Sequence, residues 1–306
     1  MYKSLNPTLI GISGRQSELI ELAMTYGFKG LVVDAADMNK RTKRSDFQHA
    51  SRYLRSAEIK VSGFELPIDL DLDEEAFTKA LVGLKETIEV ASMIGAKIGS
   101  LRLPSATDRL PYHEYFEVLR KRVAQIGEAM KEKNLKLGLY FTPAVEFRAD
   151  KQFKFVADTE GFLGFINAVK DSAIGITLDT WAWTVGGGTL EQLDAIDPAL
   201  FLTVRLADAS EELAVDKASV KDRIMPGEDR LIKNVEILTQ LHAKKYVGPV
   251  NAATHPSALA GMTRDAIVAN TQVCLDKVFE AAGVPYETRR PDMFLDLDIP
   301  AYSNAE

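Results

Sequence analysis

Cysteine is almost absent from this chain: Cys274 is the single one among 306 residues, so no intrachain disulfide can form. Long apolar runs are missing as well, because none approaches the roughly 18 residues that would span a membrane. The first residues also lack the apolar stretch of a signal peptide. Positive charge is sparse, with 37 Lys and Arg against 44 Asp and Glu and no basic stripe, which disfavours a nucleic-acid partner. We therefore expect a cytoplasmic protein that binds neither membranes nor nucleic acid.

What the sequence does contain is a regular alternation of short apolar runs and amphipathic stretches. Eight runs have the pattern of strands, the first at 8–13 and the last at 247–252, and a helical pattern follows each of them. The alternation predicts a parallel sheet, and its length fits a single closed (β/α)₈ TIM barrel over residues 1–284. A doubly wound sheet is the alternative, but Gly11 and Gly14 make too weak a phosphate loop. Residues 285–306 are expected to pack on the barrel or at an interface.

Polar residues stand at the predicted carboxyl ends of these strands, where the loops of a TIM barrel build active sites. They are Asp34, Glu65, Arg102, Tyr140, Asp179, Arg205, Asp208 and His255. The sequence leaves open which way Glu65 and Arg102 face. Acids, a base and cations at one end of a barrel predict a pocket, but they do not define its chemistry.

Several short motifs carry a resemblance through their order and spacing. They are LPY at 110–112, LDTWAW at 178–183 with GGGT at 186–189, DA at 208–209, DRIMPGE at 222–228 and YVGPV at 246–250. On these motifs the chain resembles the xylose isomerase-like TIM barrels, the sugar phosphate isomerase/epimerase group that also includes type 2 apurinic endonucleases. The resemblance covers nearly the whole chain. It implies an ancestral metal-dependent isomerisation or epimerisation of a small sugar or keto-polyol.

In that family a divalent metal (Mg²⁺, Mn²⁺ or Zn²⁺) is held by a Glu ending strand five, an Asp ending strand six, a His or Gln on strand seven and a Glu ending strand eight. The resemblance aligns these positions with Tyr140, Asp179, Arg205 and Ala253, and a nearby pocket His with Ala182. Only Asp179 keeps its residue type. Because a hard cation needs several oxygen or nitrogen donors, we expect no tightly bound metal and no other cofactor.

Two hypotheses of different kinds follow for the function. In the first, which the lost acid and base groups favour, the protein is an inactive homologue or binds a carbohydrate-like or anionic ligand without a metal. Arg205 would then pair with Asp179. In the second, the protein is an active isomerase, epimerase or dehydratase that uses Tyr140 as a hydrogen-bond donor or acid, Asp179, Arg205, and His255 as a base.

Further residues are candidates for substrate binding: Trp181, Trp183, Asp208, Arg223 and Glu228. The two tryptophans could either form an aromatic wall that stacks on a sugar ring or pack in the core, and by strand alternation they would share the facing of Asp179. Arg223 would either reach an acid or phosphate group of the substrate or pair with Asp222 or Glu228. A homodimer is a further expectation from the family.

Overall fold

Eight parallel strands form a closed barrel in the computed structural model, which describes residues 1–227 and 230–288. The strands are β1 (Tyr2–Leu5), β2 (Gly30–Val33), β3 (Lys60–Glu65), β4 (Ile98–Arg102), β5 (Lys136–Tyr140), β6 (Ile174–Asp179), β7 (Phe201–Leu206) and β8 (Pro249–Ala252). Each strand pairs with the next one along the chain, and β1 pairs with both β2 and β8. The predicted single (β/α)₈ barrel is therefore confirmed against the doubly wound alternative.

Helices follow every strand and pack against the outside of the barrel. They are α1 (Gln16–Thr25), α2 (Ala35–Arg44), α3 (Phe47–Ser56), α4 (Glu74–Met93), α5 (Tyr112–Glu132), α6 (Thr159–Val169), α7 (Thr180–Val185), α8 (Leu190–Ala195), α9 (Asn234–Ala243) and α10 (Arg264–Ala281). The apolar pattern did not predict α2, because Ala35 and Met38 are its only buried residues. A capping box of Thr189 with Gln192 is present at the start of α8.

The predicted position of the first strand is wrong. Residues Thr8–Ile10 form a 3₁₀ turn, and β1 lies earlier in the chain. Strand pairing identifies the position of β1. Tyr2 pairs with Pro249 of β8 and Leu5 pairs with Leu31 of β2, so β1 closes the barrel. The apolar run is interrupted at Gly11, where φ is +66° and a Cβ would lie 2.6 Å from Pro256.

The interior of the barrel is lined by small polar side chains. The hydroxyl oxygens of Ser4 and Ser62 lie 2.6 Å apart, and those of Ser100 and Thr177 lie 3.1 Å apart. The amide of Asn251 donates to the Thr203 hydroxyl at 3.2 Å. These pairs satisfy the five buried hydroxyl groups beneath the carboxyl ends of the strands, while the amide oxygen of Asn251 has no hydrogen-bond partner among the described residues.

The register of the strands determines which strand-end residues face inward. Residues two apart in a strand share a face, and residues paired in register in parallel strands do so as well. Ser100, which faces inward, pairs with Glu65 of β3, and Arg102 pairs with Tyr140 of β5. Glu65 and Arg102, whose facing the sequence left open, therefore point toward the mouth of the barrel.

The first residues of the predicted C-terminal extension contact the amino-terminal end of the barrel. The Lys3 ammonium donates to the carbonyl oxygen of Glu287 at 2.7 Å, and the Thr288 hydroxyl donates to Asp276 at 2.6 Å. Residues 289–306 lie outside the described residues. Among the helices of the described ranges, none is long and apolar enough to cross a membrane.

Candidate functional site

An ion pair across the barrel forms the centre of its mouth. Arg205 of β7 extends to β3, where its Nη2 donates to Oε1 of Glu65. The Tyr140 hydroxyl donates to the other oxygen of this carboxylate at 3.2 Å. The guanidinium carbon of Arg205 also lies 4.2 Å from the centroid of the Tyr140 ring. The Arg205 side chain is 3% exposed and that of Glu65 is 37% exposed, so a buried cation is neutralised by a carboxylate that reaches solvent.

The electrostatics of this group follow from burial and from the neighbouring charges. Burial alone lowers the pKa of the Arg205 guanidinium, but the charge of Glu65, with Tyr140 and Asp179, outweighs burial and raises that pKa above its ordinary value. Burial, and then the charge of Glu65, raises the pKa of the Tyr140 phenol, while Arg205 and Arg102 partly offset the rise. At neutral pH Arg205 is therefore charged, and Tyr140 is a protonated hydrogen-bond donor.

Asp179 belongs to a second ion pair, separate from the first. Nη1 of Arg223 donates to Oδ2 of Asp179 at 2.6 Å, and Oδ1 accepts the backbone N–H of Ala182 at 2.9 Å, which caps α7. The predicted pairing of Arg205 with Asp179 is therefore wrong, as is a pairing of Arg223 with Asp222. Asp179 is the neighbour of Arg205 in the sheet, but the Arg205 side chain extends across the barrel to the carboxylate of Glu65.

The two tryptophans do not continue strand β6, so their assignment by strand alternation is wrong. Asp179 caps α7 directly at the strand end, and both residues lie in this short helix. They are 0% and 2% exposed. The Trp181 ring lies 4.5 Å from the guanidinium carbon of Arg223, and the Trp183 indole N–H donates to the carbonyl oxygen of Thr189 at 3.2 Å. Both rings are packed in the interior rather than presented at the mouth.

Asp208 anchors the loop that follows β7. Its side chain is fully buried and accepts the backbone N–H groups of Ala209, Gly227 and Ile232 at 2.8, 3.2 and 3.3 Å. Burial raises the pKa of this carboxyl group, and the three N–H donors partly offset the rise. Asp208 therefore stabilises the loop.

His255 caps the 3₁₀ turn Pro256–Leu259 after β8. Its Nδ1 lies 2.7 Å from the Ser257 hydroxyl and accepts the backbone N–H of Ser257 at 3.2 Å. Within the described residues no hydrogen bond joins its ring to Tyr140 or Asp179. Glu228, the remaining candidate for substrate binding, lies outside the described residues.

The four positions that hold a metal in the family do not fit a divalent cation in this chain. They offer the Tyr140 phenol, the Asp179 carboxylate, the Arg205 guanidinium and the methyl group of Ala253. A charged guanidinium has no lone pair to donate and repels a cation, and both oxygens of Asp179 already accept hydrogen bonds. In the part of the chain that the structure describes, no cluster of three or more His, Cys, Asp or Glu side chains could hold a metal ion.

Two clefts open at the mouth, and Glu65 and Pro67 line both of them. The polar cleft, of about 720 Å³, lies among the loops after β3, β4 and β5, and its charged lining is Glu65, Asp69, Asp71, Arg102, Glu146 and Lys151. The apolar cleft, of about 580 Å³, lies among the loops after β1 and β2, and its aliphatic lining includes Ile12, Leu19, Leu31, Val33 and Met38. Both volumes fall in the range of about 300–1,000 Å³ that is usual for small-molecule sites.

Glu65 is the site residue to which the sequence analysis gave no role. It was recognised as a polar residue at a strand end, but its facing was left open. A position at the end of a strand does not show which way the side chain faces. Helices cover the outside of a parallel barrel, so residues on both faces of a strand are buried and no alternation of apolar and polar residues marks the inward face. Arg102 was ambiguous for the same reason, and it lines the polar cleft with its guanidinium carbon 4.0 Å from the Phe147 ring centroid.

Comparison with solved structures supports the same architecture. A xylose isomerase domain protein from Alicyclobacillus acidocaldarius superposes with a TM-score of 0.81 at 22% identity, covering 92% of this chain and 99% of that one. The IOLI protein, solved with a bound zinc atom, gives 0.77 at 16% identity, covering 92% and 99%. A D-psicose 3-epimerase, solved in the presence of D-fructose, gives 0.71 at 14% identity, covering 92% and 100%. At these identities the likeness establishes the fold alone.

Sequence comparison identifies the family directly. No curated protein is significantly similar to the chain. Residues 20–271, which form most of the barrel, match the family described as the xylose isomerase-like TIM barrel. With the closed eight-stranded barrel and the order of motifs along it, this match places the protein in the xylose isomerase-like TIM barrel family.

Proposed function

We propose that this protein binds a small, neutral, polyhydroxylated ligand of the carbohydrate type at the mouth of its barrel, without a divalent metal. Solved structures with the same fold include the D-psicose 3-epimerase and a sugar phosphate isomerase/epimerase. Their names are the basis for proposing a carbohydrate as the ligand class. The observation that carries the proposal is the Arg205–Glu65 ion pair, which holds a partly exposed carboxylate at the centre of the mouth. A carboxylate fixed there can accept hydrogen bonds from the hydroxyl groups of a ligand.

The charges of the polar cleft support a neutral ligand. Its lining has four carboxylates and two cations, and Arg205 neutralises one of the four, Glu65. Three carboxylates facing two cations disfavour an anionic ligand and provide acceptors for pairs of hydroxyl groups. Arg223, the predicted partner of an acid or phosphate group, is engaged by Asp179.

Binding without isomerisation is the role that the acid and base positions favour. The two glutamates that exchange protons in the family correspond to Tyr140 and Ala253. A phenol whose pKa is raised remains protonated at neutral pH, and a methyl group exchanges no proton. The proposed protein therefore holds a sugar-like molecule without the proton transfer of its relatives.

A thermal-shift experiment with metal analysis tests the proposal. The purified protein is assayed for Mg, Mn and Zn, and its unfolding midpoint is then measured in EDTA against a panel of neutral aldoses, ketoses and cyclitols. At least one compound should raise the midpoint, as any ligand selective for the folded state does. The shift should disappear in Glu65→Gln and persist in Glu86→Gln, whose side chain is an exposed partner of Lys43. Stoichiometric metal, or a shift that EDTA abolishes, would contradict the proposal.

A second candidate function rests on the exposure of Glu65. Its carboxylate reaches the clefts with the Tyr140 hydroxyl 3.2 Å away, so it could accept a proton from a sugar carbon while Tyr140 donates a hydrogen bond to the adjacent oxygen. The protein would then be a metal-independent isomerase or epimerase centred on Glu65 instead of Asp179 and His255. Incubating ketoses with the protein in D₂O measures this by NMR. Carbon-bound deuterium should appear in the sugar with wild type and not with Glu65→Gln. A sugar that binds without exchanging a carbon-bound proton would exclude isomerase or epimerase activity on that sugar.

A further inference from the structure

We infer that the apolar cleft is a second subsite, which takes an aromatic or alkyl substituent of the ligand whose polyhydroxylated part lies in the polar cleft. The ligand class is then a carbohydrate derivative with an apolar group, such as an aryl glycoside. The assignment of the head group rests on the proposed function. The apolar subsite is supported by its own lining and can be tested without a sugar.

Aliphatic side chains make the floor of the apolar cleft. Ile12, Leu31, Val33 and Met38 are 8%, 2%, 7% and 2% exposed, and Leu19 of α1 is half-buried beside them. An aromatic ring laid on this floor removes apolar surface of both partners from water, which is the main driving force for binding at such a site. A second sugar would instead leave its hydroxyl groups facing hydrocarbon.

The charged residues around this cleft are already paired within the chain. Asp34 accepts the backbone N–H of Asp37 at 2.8 Å and caps α2, and the Asp37 carboxylate pairs with Arg41 at 2.6 Å. Glu65 is held by Arg205 and Tyr140. The rim therefore offers few polar groups that need a ligand.

Gln16 provides one polar contact on the apolar floor. Its amide nitrogen donates to the sulfur of Met38 at 3.0 Å. Its amide oxygen is buried and has no hydrogen-bond partner among the described residues. A buried acceptor without a partner is costly, so a hydroxyl or N–H donor on the substituent would be favoured at this point.

The two clefts can hold parts of one molecule because Glu65 and Pro67 line both of them. The carboxylate of Glu65 is fixed by two hydrogen bonds from the barrel interior, so the junction between the clefts has a defined position. A ligand whose linking oxygen lies near Glu65 would extend its hydroxyl groups one way and its apolar group the other.

Methyl NMR tests the subsite with a probe that contains no sugar. The protein is labelled with [methyl-¹³C]methionine, the Met38 signal is assigned with Met38→Leu, and benzyl alcohol is titrated in. We expect a saturable shift of the Met38 methyl, while Met262, which lines neither cleft, stays in place. A Met38 signal that does not move, or that moves only together with all other methionine signals, would overturn the subsite.

A matched pair of variants distinguishes the cleft from general destabilisation. Leu19→Gln removes part of the apolar lining and should weaken the affinity for benzyl alcohol about fivefold, as expected when about 40 Å² of apolar contact is lost. Leu81→Gln changes a half-buried leucine of α4 that lines neither cleft, and should leave the affinity unchanged. Equal weakening by both variants would overturn the assignment.

The outcomes separate this subsite from the proposed function. If benzyl alcohol shifts Met38 but no sugar or polyol binds in EDTA, the subsite stands and the proposed head-group ligand is wrong. If sugars bind and Met38 does not respond to benzyl alcohol, the function stands and the subsite is wrong. Phenyl β-D-glucopyranoside, compared with its methyl analogue, then measures whether the two parts bind together: the phenyl compound should bind more tightly and shift Met38.

Discussion

The central ion pair makes an asymmetric prediction about stability. Glu65→Gln leaves the Arg205 guanidinium, 3% exposed, without its counter-charge. Removing one partner of a fully buried pair costs about 3–5 kcal/mol. In this chain the cost is reduced because the Glu65 side chain is 37% exposed, so water reaches one end of the guanidinium, and because the Tyr140 ring remains beside it. We expect Glu65→Gln to lower the free energy of unfolding by about 2–3 kcal/mol.

The reverse substitution should cost much less. Arg205→Met removes the buried charge, fills a similar volume and leaves Glu65 at a position where water can solvate the carboxylate. The remaining loss is the contact with the Tyr140 ring, about 1 kcal/mol. The double variant should match Arg205→Met, because the carboxylate stabilises the fold mainly by neutralising the guanidinium.

Urea denaturation followed by the fluorescence of the two buried tryptophans measures these differences. Glu86→Gln is the control, since the Lys43–Glu86 pair is 58% and 50% exposed and its loss should leave the midpoint unchanged. The reasoning is refuted if Arg205→Met lowers the midpoint as much as Glu65→Gln, because the buried guanidinium would then carry no penalty when its partner is removed.

Three further predictions concern single residues. Because burial raises the pKa of Asp208, the folded state holds this proton more tightly than the unfolded state. The stability of wild type relative to Asp208→Asn should therefore fall as pH rises from about 4 through the raised pKa. A urea midpoint of wild type that rises relative to that of Asp208→Asn over this pH range would contradict the prediction. Because partial burial raises the pKa of the Cys274 thiol, iodoacetamide at about pH 8 should alkylate it roughly tenfold more slowly than free glutathione, as followed by mass spectrometry. Equal rates would contradict the raised pKa. Gly11→Ala should destabilise the fold by about 1–2 kcal/mol, since φ is +66° and the new Cβ would meet Pro256; Gly83→Ala, on an open helix face, is the control and should not destabilise.

The candidate site was predictable in its position and only partly in its contacts. Tyr140, Asp179 and Arg205 were identified as strand-end residues, and the structure brings Tyr140 and Arg205 together around Glu65. The partners of the arginines were not predictable, because the choice between two nearby carboxylates depends on side-chain reach across the barrel. The sequence gives no measure of that distance.

The amino-acid sequence by itself determined the architecture. Eight apolar runs alternating with amphipathic stretches specify a parallel sheet covered by helices, and the lack of a strong phosphate loop after the first run favours a closed barrel over a doubly wound sheet. It also determined that the positions of the family's metal ligands hold different side chains, because residue type is read directly. Tertiary structure alone decided where β1 lies, since a strand with few apolar residues is selected by pairing with β2 and β8. It also decided that Asp179 caps a helix and pairs with Arg223, and that Glu65 stands between a polar and an apolar cleft, because the contacts that fix these features join residues far apart in the chain.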